Sequence, residues 1–98
     1  MSHPRHDLDP VLANPLRFSL LASLSNVVDM TFKELRDHLT TTDSTMSKHS
    51  TALEEAGYIH IKKGFVGKTP QTRLSITKTG EQALTHHLDT LNRIAQGG

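Results

Sequence analysis

The sequence predicts an α+β domain, mainly helical with one small β-hairpin, and three observations carry that reading. Leucines recur at helical spacing in the first half, the hydrophobic period drops from 3.6 to 2 directly after Gly57, and helical spacing returns from Leu84 onward. The 98 residues make about one domain, read as residues 8–96 behind a disordered tail at 1–7. A compact chain of that length has a radius of gyration of roughly 13 Å.

Asp9-Pro10 and Asn14-Pro15 each place a capping side chain before a proline suited to the first helical turn. The first opens a short piece with Leu8, Val11 and Leu12; the second opens a helix from Pro15 to about Ser25 with Leu16, Leu20, Leu21 and Leu24 on one stripe. Thr31-Phe32-Lys33-Glu34 has the form of a capping box, and Met30 and Leu35 occupy the two positions of a hydrophobic staple. A helix therefore starts at Thr31 and runs to about Leu39, stopping in Thr40, Thr41 and Thr42, whose hydroxyls compete for backbone hydrogen bonds. Thr42 or Thr41 caps the next helix, about residues 43–56, with Met46, Leu53 and Ala56 inward and Gly57 terminating it. Ile59 and Ile61, then Leu74 and Ile76, alternate with polar neighbours and mark a hairpin at about 58–77. Its connection, Gly64 to Pro70, reads as too long for a two-residue turn and predicts an extended, mobile loop. Thr77 caps a last helix, about 78–96, in which Leu84, Leu88, Leu91 and Ala95 repeat at 4, 3, 4 spacing.

Composition excludes several classes. Without Cys there is no disulfide framework, thiolate metal site or cysteine nucleophile, and a reducing compartment is expected. No stretch approaches the about 18 apolar residues of a membrane span, and the opening residues lack the apolar stretch of a signal peptide, so no membrane partner and a cytoplasmic location are expected. An apolar fraction of 35% with no Trp and one Tyr leaves a small aliphatic core and no large enclosed substrate cavity. The net charge of +1 conceals an asymmetry: no acidic residue lies between Glu55 and Glu81, while Lys62, Lys63, Lys68, Arg73 and Lys78 all do. A one-sign segment in a near-neutral chain suggests a surface that meets an anion, with nucleic acid phosphate the commonest partner; the plainer reading is a merely basic loop.

Helix, helix, turn, helix, strand, basic loop, strand, helix is the order of a winged helix-turn-helix domain, in which a basic hairpin stands beside a helix sized for the DNA major groove. On that recognition helix the outward positions are Ser44, Thr45, Ser47, Lys48 and Thr51, joined by His49, groups that reach base edges or phosphates. Ser44, Thr45 and Lys48, nearest its N-terminal end, are the favoured base-edge contacts. Lys63, Lys68, Thr69 and Arg73 on the wing are expected to grip phosphates, with one side chain in the minor groove. For both sets the plainer reading is a solvated surface, and for Arg17 and Arg36 a salt bridge competes with a phosphate contact. The C-terminal stripe extends past what so small a domain covers, so a homodimer is expected through Leu16, Leu20, Leu24, Leu84, Leu88, Leu91 and Ala95.

The residues also resemble a known family. Thr45-Met46-Ser47-Lys48-His49, Leu53-Glu54-Glu55-Ala56-Gly57-Tyr58-Ile59, Lys63-Gly64-Phe65, Lys68-Thr69-Pro70 and Leu74-Ser75-Ile76-Thr77-Lys78-Thr79-Gly80 look like the small prokaryotic winged-helix transcriptional regulators related to the MarR and ArsR groups. The Asn14-Pro15-Leu16-Arg17 opening fits as well, and the resemblance covers about residues 8–92. It implies a homodimeric DNA-binding regulator, with the dimer built from the N- and C-terminal helices; the reading adopted is a repressor that binds double-stranded DNA and needs no cofactor. One departure is Ser50, where such regulators usually carry Leu; it predicts looser packing of the recognition helix or a small polar pocket beneath it.

Seven histidines raise the question of a metal. His86 and His87 are neighbours and point about 100° apart on a helix, so the reading is no metal site, with His86 and Asp89 or Thr90, completed across a dimer, as an alternative. His3 and His6 lie in the tail, and His38 and His60 read as surface positions. No Gly-rich phosphate loop follows a strand and no Ser sits in a nucleophile elbow, so an enzyme is not expected. Two rivals remain open: a winged-helix protein-interaction module without specific DNA binding, and an ArsR-like repressor that responds to a metal or small molecule.

Overall fold

The computed structural model describes residues 4–97. A 3-10 turn at Pro4–Asp7 precedes α1 (Pro15–Leu24), β1 (Met30–Thr31), α2 (Phe32–His38), α3 (Asp43–Glu55), β2 (Ile59–Val66), β3 (Thr69–Ile76) and α4 (Lys78–Ala95). The three strands form one antiparallel sheet in the order β1, β3, β2. Every one of these four helices begins on the residue whose side chain can satisfy its free amides. Asn14 accepts from the Leu16 and Arg17 N–H groups, Thr31 from Glu34, Thr42 from Thr45 and Thr77 from Gly80.

The core is aliphatic, as the composition predicts. Leu12, Leu20, Leu21, Leu24, Leu35, Met46, Leu53, Ile59, Leu74 and Leu84 form one buried cluster fed by all four helices and both long strands. Ser50 is buried among them, and its hydroxyl donates to the Met46 carbonyl at 2.6 Å. The helix itself satisfies this group, so the core tolerates it without a polar partner from another element.

Four local expectations are corrected. Residues 4–7, read as part of a disordered tail, form the 3-10 turn, and Asp7 accepts from Arg93 of α4 at 3.3 Å; residues 1–3, with His3, lie outside the described residues. The piece around Leu8 and Val11 is a turn rather than a helix. Asp9 caps it through the Val11 N–H at 2.8 Å, but Asn14 precedes a proline and is extended, which stops propagation. Strand β1 was not anticipated, since two residues offer no alternation to read; Met30 pairs with Leu74 and Thr31 with Arg73. Finally, the hairpin has no extended loop. Its ladder runs to the Val66–Thr69 pair, leaving Gly67 and Lys68 as a two-residue turn with Gly67 at φ +62°, the left-handed conformation that tight hairpin turns demand. Pro70 is tolerated because β1 covers only the base of β3, so the missing N–H points to solvent. The projecting hairpin makes the molecule 56 × 24 × 21 Å and raises the radius of gyration to 14.7 Å.

One glycine anchors the last helix under the sheet. A Cβ on Gly80 would lie 2.1 Å from the Tyr58 carbonyl oxygen, a backbone atom that already accepts from the Thr77 N–H. Gly80→Ala is therefore expected to lower stability by more than about 2 kcal/mol through enforced separation of α4 from the hairpin base. Urea denaturation of this variant beside Gly97→Ala, which meets open space at a strained φ near the chain end, checks it.

Candidate nucleic-acid interface

Helix α3 packs through Met46, His49, Ser50 and Leu53, and that stripe turns Ser44, Ser47, Lys48 and Thr51 to solvent. Thr45 is half-buried and belongs to the cap, its hydroxyl 2.9 Å from the Thr42 hydroxyl. His49 corrects the sequence reading. It is 9% exposed and faces inward, because residues 46, 49, 50 and 53 follow the i, i+3, i+4, i+7 spacing of one helical face, a signal present in the sequence. Its Nδ1 and the Nε of Arg17 are buried without a hydrogen-bond partner. Burial pushes the His49 imidazole below its ordinary value of 6.5, and the nearby Arg17 and Lys48 charges push it the same way. Arg36 is committed elsewhere: its guanidinium donates to Asp43 at 2.7 Å and pairs with Asp37 at 3.0 Å.

On the wing, Lys63, Lys68 and Thr69 are exposed as expected. Arg73 is exposed too but pairs with Asp29 at 2.6 Å, a residue 44 positions away that local reading does not connect to it, so a phosphate there competes with this carboxylate. The register puts Lys62 and Arg73 on the outer face of the hairpin and Lys63 with Thr72 on the face toward α3. There Ser47, Thr51, Lys63 and Thr72 border an open cleft of about 360 Å³ with Phe32, Ser50 and Ile61, and Asp43, already paired with Arg36, lies at its edge. Helix and wing thus form two walls of one concavity. Lys33, from the first turn of α2, lines the adjoining cleft with Thr69 and Pro70; nothing in the sequence connects these segments, and Lys33 and Thr72 were missed.

The proposed dimer residues divide into two groups. Leu20, Leu24 and Leu84 are buried in the chain's own core and Leu16 is half-buried, whereas Leu88 and Leu91 are 47% and 39% exposed and Ala95 is exposed. The inward face of α4 is Gly80, Leu84, His87 and Thr90, not the leucine seam. His87 is 3% exposed: its Nδ1 accepts from the Asp9 N–H at 3.2 Å and its ring lies 5.6 Å from that of Phe18. Tyr58 donates its hydroxyl to the other end of this link, the Asp9 carboxylate, and burial with that bond pushes the phenol up to about 12. Burial lowers the His87 imidazole from 6.5, aided by His86 and opposed by the Asp9 carboxylate. His86 and Asp89 are exposed beside Glu81, and among the described residues no group of three metal-ligating side chains gathers. No helix among the described residues is long and apolar enough to cross a membrane.

The sequence profile of a family described as a winged helix DNA-binding domain matches residues 16–95. Among solved structures, the chain is similar to a transcriptional regulator homologue from Pyrococcus horikoshii, with a TM-score of 0.88 at 22% identity over 99% of this chain and 97% of that one. It is similar to MarR, with a TM-score of 0.76 at 18% identity over 90% of this chain and 64% of that one. A third neighbour, a transcriptional regulator of M. tuberculosis solved in complex with DNA, gives a TM-score of 0.72 at 20% identity over 94% and 65% of the two chains. The architecture is the winged-helix fold of MarR-like regulators.

The two buried imidazoles set a pH dependence. Both bind protons less readily folded than unfolded, so the unfolded chain charges first as pH falls; their stabilising effect is complete above about 6.5 and declines as pH drops below it. Urea midpoints are expected to fall on going from about pH 7 toward pH 5, and His87→Asn, which keeps an acceptor but does not titrate, should reduce the slope of that fall.

Proposed function

The chain belongs to the family of winged-helix DNA-binding domains, and from that premise we propose that it is a homodimeric, sequence-specific regulator of transcription that acts as a repressor on double-stranded DNA. The observation that carries this reading is the shared concavity of α3 and wing, walled by exposed Ser47, Thr51 and Lys63. A duplex seated there receives Ser44, Ser47 and Lys48 in the major groove while Lys63, Lys68 and Thr69 meet the flanking backbone. Repression needs nothing more than occupancy, since DNA covered by the dimer is closed to other proteins. The M. tuberculosis neighbour supports the partner by analogy, as its structure contains DNA. For the dimer, the support is the exposed pair Leu88 and Leu91 on α4; a second copy there would bury them and set two α3 helices roughly 34 Å apart, one turn of DNA.

Fluorescence anisotropy against duplexes selected from a random pool tests the binding. The expected result is binding that survives scrambled competitor and weakens with salt at a slope of about −0.9 per phosphate contacted. Lys48→Ala should change which sequences bind, whereas Lys68→Ala should weaken all sequences alike and reduce the salt slope by about one. Binding that scrambled DNA removes completely would leave a non-specific binder, and no binding at low salt would favour a protein-interaction module. Light scattering tests assembly separately: Leu91→Asp is expected to be monomeric, and a variant that remains dimeric would rule out this face.

A further inference from the structure

The hairpin ends in an apolar tip that none of the roles above uses. Phe65 is 73% exposed and Val66 60%, and they sit beside the Gly67–Lys68 turn with Pro70, also exposed, paired across from Phe65. Single exposed apolar residues need no explanation, but the Phe65–Pro70 pair on one face, with Val66 on the other, makes the end of the projecting hairpin apolar.

Its orientation follows from the register. Ile59, Ile61, Lys63 and Phe65 share one face of β2, opposite Ile76, Leu74, Thr72 and Pro70 on β3. At the base that face is buried against the helices through Ile59 and Leu74; halfway out it walls the cleft with α3 through Lys63 and Thr72. By the same alternation Phe65 and Pro70 continue this face outward, and Phe65 also borders the cleft on the other side of the hairpin with Lys62, Gly64, Gln71 and Arg73. The ladder is unbroken to the Val66–Thr69 pair, so the tip is held at a fixed position relative to α3. Around it stand Lys62, Lys63 and Lys68, none of them in an ion pair among the described residues, and no acidic residue lies between Glu55 and Glu81.

An apolar wedge flanked by free cations fits a narrow groove with anionic rims and a stacked, apolar interior. The DNA minor groove has those properties, and apolar side chains that enter it partly unstack a base step and bend the duplex. We propose that Phe65, with Pro70 beside it, is a wedge that the wing inserts at a minor-groove base step flanking the site read by α3. This rests on the DNA-binding reading above and adds to it a specificity determinant that makes no hydrogen bond: pyrimidine–purine steps unstack most easily, so the wing selects TA or CA/TG at its position.

The test uses the full chain and a duplex that the wild type selects from a random pool, with 2-aminopurine at the step under the wing and a dye pair at the ends. On wild-type binding, 2-aminopurine fluorescence and energy transfer between the ends should both rise. Phe65→Ala should abolish both changes and weaken binding about tenfold at a TA step with an unchanged salt slope, while Phe65→Leu keeps part of each signal. Lys68→Ala should do the reverse, reducing the salt slope with the fluorescence rise intact. Circular dichroism confirms that these exposed-site variants fold. If Phe65→Ala binds, bends and prefers the step as the wild type does, the wedge is refuted and the DNA-binding reading stands. If the wild type binds no duplex, the reading beneath it fails. If Phe65→Ala instead loses only binding to vesicles rich in anionic lipid, the tip belongs to a membrane surface and the proposal is overturned.

Discussion

The rotational phase of α3 is the constraint on which the rest of this molecule depends. Met46, His49, Ser50 and Leu53 are buried together against α1 and the sheet, and burying them leaves only one set of positions for solvent. Apolar burial of Met46 and Leu53 is worth roughly 1.5–3 kcal/mol for each side chain, far more than any preference among the short polar groups opposite them. The outward presentation of Ser44, Ser47, Lys48 and Thr51 is therefore a consequence of core packing, and function is read from the face the core does not need. Ser50 fits the same scheme because its own helix absorbs its hydroxyl, so a small polar residue at this depth costs packing volume and not an unsatisfied bond.

Arginine and lysine have separate tasks. The four ion pairs among the described residues all use arginine, Arg36 with two carboxylates, Arg73 with Asp29 and Arg93 with Asp7. They lie at the surface, where water and salt weaken such pairs, yet two of them join segments far apart in sequence: the wing base to the residue before β1, and the N-terminal turn to α4. The planar guanidinium suits such fixed pairs, whereas the flexible ammonium groups of Lys48, Lys63 and Lys68 remain in solution, available to an anionic partner. The free cations are thus fewer than the charge count implies: they include the lysines of the wing and Lys48 on α3, a helix that also carries Asp43, Glu54 and Glu55.

The inner face of α4 is more polar than its leucines advertise. His87 and Thr90 lie on the inward face of α4 with Leu84, and the Asp9 backbone and carboxylate tie the 8–13 turn to His87 and to Tyr58 at once. Thr90 returns its hydroxyl to the His86 carbonyl at 2.9 Å, so this buried contact is satisfied. With that side of α4 occupied, Leu88 and Leu91 are pushed outward, and the face left for a second copy is narrower than the seven residues of the sequence reading.

Capping and periodicity were legible in the sequence because they act over three or four residues. Asn14, Thr31, Thr42 and Thr77 each start the helix expected of them, and the change of period after Gly57 marks the hairpin. The exposed candidates Ser44, Ser47, Lys48, Thr51, Lys63 and Lys68 follow from the same local rules, whereas His49 was misjudged despite its inward spacing, since imidazole is polar by composition and buried here by position. What required the tertiary structure was everything set by partners distant in the chain: Asp29 taking Arg73, Asp9 engaging His87, β1 pairing with β3, Lys33 and Thr72 reaching the clefts, and a hairpin ladder that closes on two residues. Sequence determines which elements form because hydrogen bonding and apolar periodicity are local. Which cations stay free, and which leucines stay exposed, is decided only when distant segments compete for the same surface.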